Sequence, residues 1–305
     1  MANVLISGGT GLIGRALTKE LLSRGHQVTV LTRSPEKYPN TTRVNYAAWD
    51  VERQIADKAA IVSADYIVHL AGAGVADKRW TQKRKKEIVE SRTRSSELLV
   101  KALRESSNQV RAVISASAIG WYGENQGDSS FVETDPASND FLGDTCKEWE
   151  QSIGEVSSLN KRLVKLRTGI VLSSEGGALE EFRTPLRFGL GTILGNGKQV
   201  ISWIHIEDLV RLYIFAIENE TMQGVYNAVA PYPVTNRNLI LVLARQMRGR
   251  FFIPVYIPSF VLKLVLGEMS IEVLKSATVS AQKIKNLGFD FFFPSIKSAM
   301  HDLIL

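Results

Sequence analysis

The stretch VLISGGTGLIGRAL, from Val4 to Leu17, constrains the fold more than any other. An apolar run meets glycines at Gly9-x-Gly11-x-x-Gly14, with Gly8 extending the pattern, and passes directly into a helical one. Glycine at these spacings meets three demands: a tight turn with positive φ, a backbone that can approach a pyrophosphate, and close packing of helix on strand. The helix start then offers free N–H groups and a partial positive charge to an anion. Strand, glycine turn and helix in this order are the opening of a dinucleotide-binding unit.

The rest of the first half repeats that grammar. QVTVLTR, ADYIVHLAGAG, RAVISASA and RLVKLRTGIVL are continuous apolar or β-branched runs separated by helical patterns. Runs of this kind fit a parallel sheet buried on both faces. The expected fold class is α/β: a Rossmann-type doubly wound sheet with helices on both faces. After about Ser174 glycine-rich connections, a helix over about Ile206–Glu218 and a strand at GVYNAVA indicate a smaller C-terminal substrate lobe, some of whose segments return to the main sheet. The division is drawn as residues 1–175 and 176–305.

Several function classes fall away. A single cysteine, Cys146, excludes an intramolecular disulfide and any multi-cysteine metal site and fits a reducing compartment. No metal site is expected, since no second histidine stands at a ligand spacing from His205. The N-terminal run reads as a buried strand and not as a signal peptide. The longest apolar stretch, FFIPVYIPSFVLKLVLG, is broken by Pro254, Pro258 and Lys263 and falls short of the roughly 20 residues that span a bilayer. The expectation is a cytoplasmic protein without membrane contact. The net charge of +6 gathers partly in DKRWTQKRKKEIVESRTRS. Without an aromatic platform or recognition helix this run reads as the solvated start of a helix, and no nucleic-acid partner is expected. A small-molecule substrate is expected, and the chain allows a homodimer.

The second strand, QVTVLTR, bears on the ligand. A carboxylate near its end would hold the ribose hydroxyls of NAD. Thr32 and Arg33 stand there instead. A guanidinium pairs with a 2′-phosphate through two parallel hydrogen bonds, whereas an acid would repel it, so the expected cofactor is NADP(H).

With ISGGTGLIGRAL, HLAGAGV, SRTRSSELL, SASAIGWYG, FLGDTCKEWE, LRTGIVLSSEGGAL, GLGTILGNGKQVISWIHIEDLV, GVYNAVAPYPVTN and LGFDFFFPSIKSAM in view, the chain resembles the extended short-chain dehydrogenase/reductase superfamily. Within it the likeness is to an atypical, sugar-nucleotide epimerase-like branch with a characteristic C-terminal domain of unknown function. The resemblance implies that Gly8, Thr10, Gly11, Leu12, Ile13 and Gly14 hold a pyrophosphate and Arg33 a 2′-phosphate. It implies that Ala71, Gly72 and Ala73 line the adenine and ribose side, and that Thr168, Gly169 and Ile170 pass near the nicotinamide. Trp203, His205 and Asp208 would brace the lobe.

In that superfamily a serine orients the substrate oxygen, a tyrosine moves the proton and a lysine four residues later supports both. Ser117 fits the first role. Aligning CKEWE on the usual pattern puts Cys146 in the lysine position and Leu142 in the tyrosine position, so the usual dyad is absent. Three readings stand open: Tyr122 of WYG as the acid, aided by a substrate group or by an arginine such as Arg92; a chemically active Cys146 facing the pocket; or an NADP(H)-binding sensor that turns over slowly or not at all. The expected function is an NADP(H)-dependent oxidoreductase or epimerase acting on a carbonyl or alcohol of a small polar substrate.

Overall fold

The computed structural model describes residues 1–125 and 129–304. Its centre is an eight-stranded sheet. In chain order the first seven strands are β1 (Asn3–Ser7), β2 (Gln27–Thr32), β3 (Val44–Asp50), β4 (Ile55–Ala56), β5 (Tyr66–His69), β6 (Ala112–Ala118) and β7 (Arg162–Thr168), and the eighth is Gly224–Ala228. Across the sheet the order runs from Gly224–Ala228 through β7, β6, β5, β1, β2 and β3 to β4. All pairings are parallel except β3 with β4. The order reverses between β1 and β5, which opens a crevice above their C-terminal ends.

Alternate residues of each strand face opposite layers, so continuous apolar runs feed two cores. Val4, Ile6, Val30, Val68 and Ile114 pack with α1 (Leu12–Ser23) and with the helix Ile206–Glu218. Leu5, Leu31, Ile67 and Val113 pack with α3 (Gln82–Glu105) and α4 (Phe141–Gly154) on the other face. The short α2 (Lys58–Val62) joins this second layer. Thr81 caps α3 by accepting from the Arg84 N–H, and Asp140 caps α4 by accepting from the Gly143 N–H, each satisfying an otherwise orphan donor.

A third core, around Trp203, Leu239, Leu243 and Met300, holds the smaller lobe. Asp208, fully buried, accepts from the Phe292 and Phe293 N–H groups at 2.8 and 2.9 Å and from Arg211 at 2.9 Å. His205 accepts from the Glu207 N–H, lies against the Phe293 ring at 3.9 Å and stands 3.3 Å from Asp302. These side chains hold the C-terminal segment to the helix that follows them. Among the described residues, no helix is long and apolar enough to cross a membrane.

The basic run departs from expectation. Arg84 is buried and donates to the Gly74 carbonyl, with Glu87 at 2.8 Å. Lys85 reaches across to Glu268 of the lobe. These two cations tie down a loop and a neighbouring element, so this part of the run is an internal clamp and not a solvated face.

Candidate functional site

The glycine turn fits a pyrophosphate for steric reasons visible at each position. Gly8 has φ 72°, and a Cβ there would stand 2.8 Å from the Leu70 carbonyl carbon. A Cβ on Gly14 would stand 2.4 Å from the Gly9 Cα and 2.5 Å from the Gly8 oxygen. The start of α1 therefore lies directly on the turn, a packing that only glycine permits. Gly11 caps α1 without a side-chain hydrogen bond, and no acid stands in the first turn. The first N–H groups of the helix are left for an anionic ligand. Thr10 and Gly11 are exposed at the rim, with Leu12 and Ile13 half-buried beside them.

The other cofactor candidates follow the same edge of the sheet. Arg33 is exposed just beyond β2. On the other side of the turn, Ala71, Gly72 and Ala73 follow β5, and the Ala73 N–H donates to Ser91 Oγ at 2.9 Å. Gly72 is exposed to the crevice. Thr168, Gly169 and Ile170 are half-buried where β7 passes into the strand Ile170–Ser173. A Cβ on Gly169 would meet the Ser202 carbonyl at 2.7 Å, so the crossing to the lobe also requires glycine.

The three candidate proton-transfer groups are placed differently. Ser117, Tyr122 and Cys146 are 3%, 0% and 4% exposed. Ser117 donates to Glu150 Oε1 at 2.7 Å. Tyr122 donates to Asn227 Oδ1 at 2.7 Å, accepts from Arg167 Nη1 at 3.1 Å and stacks on Phe131. Burial pushes the Tyr122 hydroxyl above its usual pKa despite the neighbouring Arg167 guanidinium. Cys146 Sγ lies 3.7 Å from the Ala118 carbonyl, and burial pushes its thiol up to about 12. A thiol held there is protonated at neutral pH and a poor nucleophile. The Tyr122 hydroxyl is enclosed in the protein, and both its donor and acceptor roles are taken.

What encloses it is a network that the sequence reading did not assemble. Ser117, Arg167 and Asn227 are register partners on three adjacent strands and share one face. Arg167 donates to both oxygens of Glu150, at 2.8 and 3.2 Å, and Lys165 stands 3.3 Å away. The Arg167 guanidinium also lies 3.7 Å over the Trp121 ring. The Asn227 N–H donates to Glu133. The available signal was a polar side chain inside two strand-like runs, Arg167 in RLVKLRT and Asn227 in GVYNAVA, together with Glu150 in KEWE.

Beyond this network, between the α4 N-terminus and the lobe, lies a cavity of about 340 Å³ lined by Glu124, Asp140, Ile271, Leu274 and Lys275. Lys275 bridges Asp140 at 2.8 Å and Glu272 at 3.3 Å. The cavity offers both signs of charge and two apolar side chains, a setting for a polar ligand of modest size.

Residues 4–141 match the NAD-dependent epimerase/dehydratase family, and residues 257–303 match a domain of unknown function, DUF1731. An epimerase family protein of Staphylococcus haemolyticus is 35% identical over 100% of this chain and 99% of its own length. The crystal structure of human epimerase family protein SDR39U1 with NADPH superposes with a TM-score of 0.87 at 31% identity, covering 99% of both chains. A UDP-glucuronic acid 4-epimerase from Bacillus cereus, at 19% identity and a TM-score of 0.80 over 99% of this chain and 98% of its own, shares the fold. Identity of 35% and 31% along the whole chain to the Staphylococcus haemolyticus and human proteins, together with a glycine cradle at the switch point and a DUF1731 segment at residues 257–303, shows that the chain belongs to the epimerase family, as an atypical extended short-chain dehydrogenase/reductase.

Proposed function

We propose that this protein binds NADP(H) along the crevice and acts as an oxidoreductase or epimerase on a carbonyl or alcohol of a small polar substrate. The observation that carries the reading is the linear order of groups along the sheet edge. An exposed Arg33 follows β2, the glycine cradle follows β1, and the open Gly72 turn follows β5. Arg33 would hold the 2′-phosphate, and Gly8, Thr10, Gly11, Leu12, Ile13 and Gly14 the pyrophosphate. Ala71–Ala73 and Thr168–Ile170 would flank the nucleosides. The human relative crystallised with NADPH supports the same choice. When bound, the cofactor supplies a hydride donor or acceptor. The protein's own part is to fix its direction across the β5 and β6 ends and to exclude water there. Residues 1–175 are taken as the nucleotide domain and 176–305 as the substrate lobe, apart from 224–228, which rejoin the sheet. A cytoplasmic location fits the single buried thiol. Exposed Phe251, Phe260 and Leu264 on the lobe favour a homodimer.

Titration with NADPH and NADH tests the cofactor. Arg33→Ala is expected to weaken NADPH by about tenfold or more, the loss of a charge-assisted pair, and NADH by less than about twofold. Absence of binding by either nucleotide, or equal losses for both, would overturn the reading.

The burial of Ser117, Tyr122 and Cys146 favours a second reading, an NADP(H)-binding sensor with slow or no turnover. In that case NADPH and NADP⁺ would produce different conformations or partner affinities, and no carbonyl substrate would accelerate NADPH oxidation.

A further inference from the structure

Arg92, half-buried on α3, differs from the buried Arg84 and Arg167. Arg84 reaches Asp77 and Glu87, and Arg167 reaches Glu150. Among the described residues, the one acceptor of Arg92 is the Ile88 carbonyl of its own helix, at 2.8 Å, and no carboxylate pairs with it. Its guanidinium lies 5.0 Å over the Trp149 ring. A Cβ on Gly72 would stand 3.3 Å from the Arg92 Cγ and Cζ, so the guanidinium is packed directly against the open turn that follows β5. Burial, and beyond it the charge of Arg84, press its pKa down. A guanidinium is nonetheless charged at any physiological pH. The neighbouring Cys146 thiol, pushed up to about 12, offers it no anion. A partly desolvated guanidinium without a counter-charge keeps donors for which a ligand can supply acceptors.

Its place in the strand order says which part of a ligand that would be. Arg33 follows β2, the pyrophosphate cradle follows β1, and Gly72 follows β5 on the far side. A dinucleotide anchored by Arg33 and the cradle extends its second nucleoside toward the β5 side, which sets Gly72 beneath that nucleoside and not on the adenine side that the resemblance implies. We propose that Arg92 binds the ribose of that second nucleoside, donating from α3 to its hydroxyls at the place where α4 carries Cys146 in this chain. The proposal rests on the NADP(H) reading above. It makes Arg92 a cofactor-binding residue and leaves Arg33 to select the 2′-phosphate.

The test is isothermal calorimetry with two probes, NADPH and adenosine 2′,5′-bisphosphate, which ends before the second ribose. Arg92→Gln keeps a donor for the Ile88 carbonyl and removes the charge. It is expected to weaken NADPH by roughly tenfold and to leave the bisphosphate within about twofold of wild type. Arg92→Lys, which restores the charge, is expected to recover most of the NADPH affinity. Arg92→Met is the second neutral variant should Arg92→Gln fail to fold. Unchanged NADPH affinity, proportional loss of both probes, or failure of both neutral variants to fold would overturn the proposal in favour of a purely structural guanidinium. Failure of the underlying reading looks different: wild type itself would bind neither probe.

Discussion

Glu150 collects a serine hydroxyl, both arms of a guanidinium and an ammonium inside the protein, and its ionised form is tolerable only while those donors remain. Removing the guanidinium leaves the buried carboxylate with only Ser117 and Lys165 as partners. Arg167→Met is therefore expected to cost about 3–5 kcal/mol in urea denaturation, and adding Glu150→Gln to recover most of it. A loss below about 1 kcal/mol would mean that Ser117 and Lys165 suffice to hold the charge. The same residues show what could be read without coordinates. The serine at the end of β6 was legible as a candidate because its neighbours fit a known pattern. Its partner was not, because Glu150 lies 33 positions away and only strand register brings Arg167 and Asn227 alongside. The partners of Tyr122 were hidden for the same reason, since Arg167 and Asn227 lie 45 and 105 positions away.

At the level of elements, β1, β5 and α3 are joined by one buried imidazole. His69 is fully buried, with Ser7 Oγ at 2.7 Å from Nδ1 and the Ser95 and Ser96 hydroxyls at 3.3 and 3.4 Å from Nε2. Burial pushes its pKa down from 6.5 to about 4. The unfolded chain takes up this proton near pH 6.5, and the folded chain resists until about pH 4. Its contribution is thus complete above pH 6.5, declines as pH falls through that window by about 3 kcal/mol in all, and is flat below it. Denaturation curves for wild type and His69→Gln should therefore converge by about 2 kcal/mol between pH 7 and pH 5; parallel curves would count against a neutral His69. The glycine turn before α1 was fully legible, since steric demand is written in the residue type itself. The roles of α3 were not: the charges at Arg84, Lys85 and Arg92 look alike in sequence, and only the loops and lobe that pack on the helix distinguish clamp from free cation.

Over the whole molecule, the two lobes meet through charges as well as apolar contact. Lys275, with its side chain 9% exposed, links Asp140 at the start of α4 to Glu272. Lys275→Met would leave two carboxylates facing each other. Amide hydrogen exchange over residues 259–274 is expected to quicken by roughly tenfold, with β1, β5 and β6 unchanged. Uniform quickening would show that the link supports the whole fold and not the lobe alone. The strand Gly224–Ala228 carries a different consequence. It lies outside β7 in the sheet although it comes more than fifty residues later in the chain. A fragment ending near residue 175 would expose the entire backbone row of β7 to pairing with other chains. The lobe therefore cannot be exchanged between relatives as a simple cassette: any recombinant that keeps the eight-stranded sheet must carry residues 224–228 with the first half.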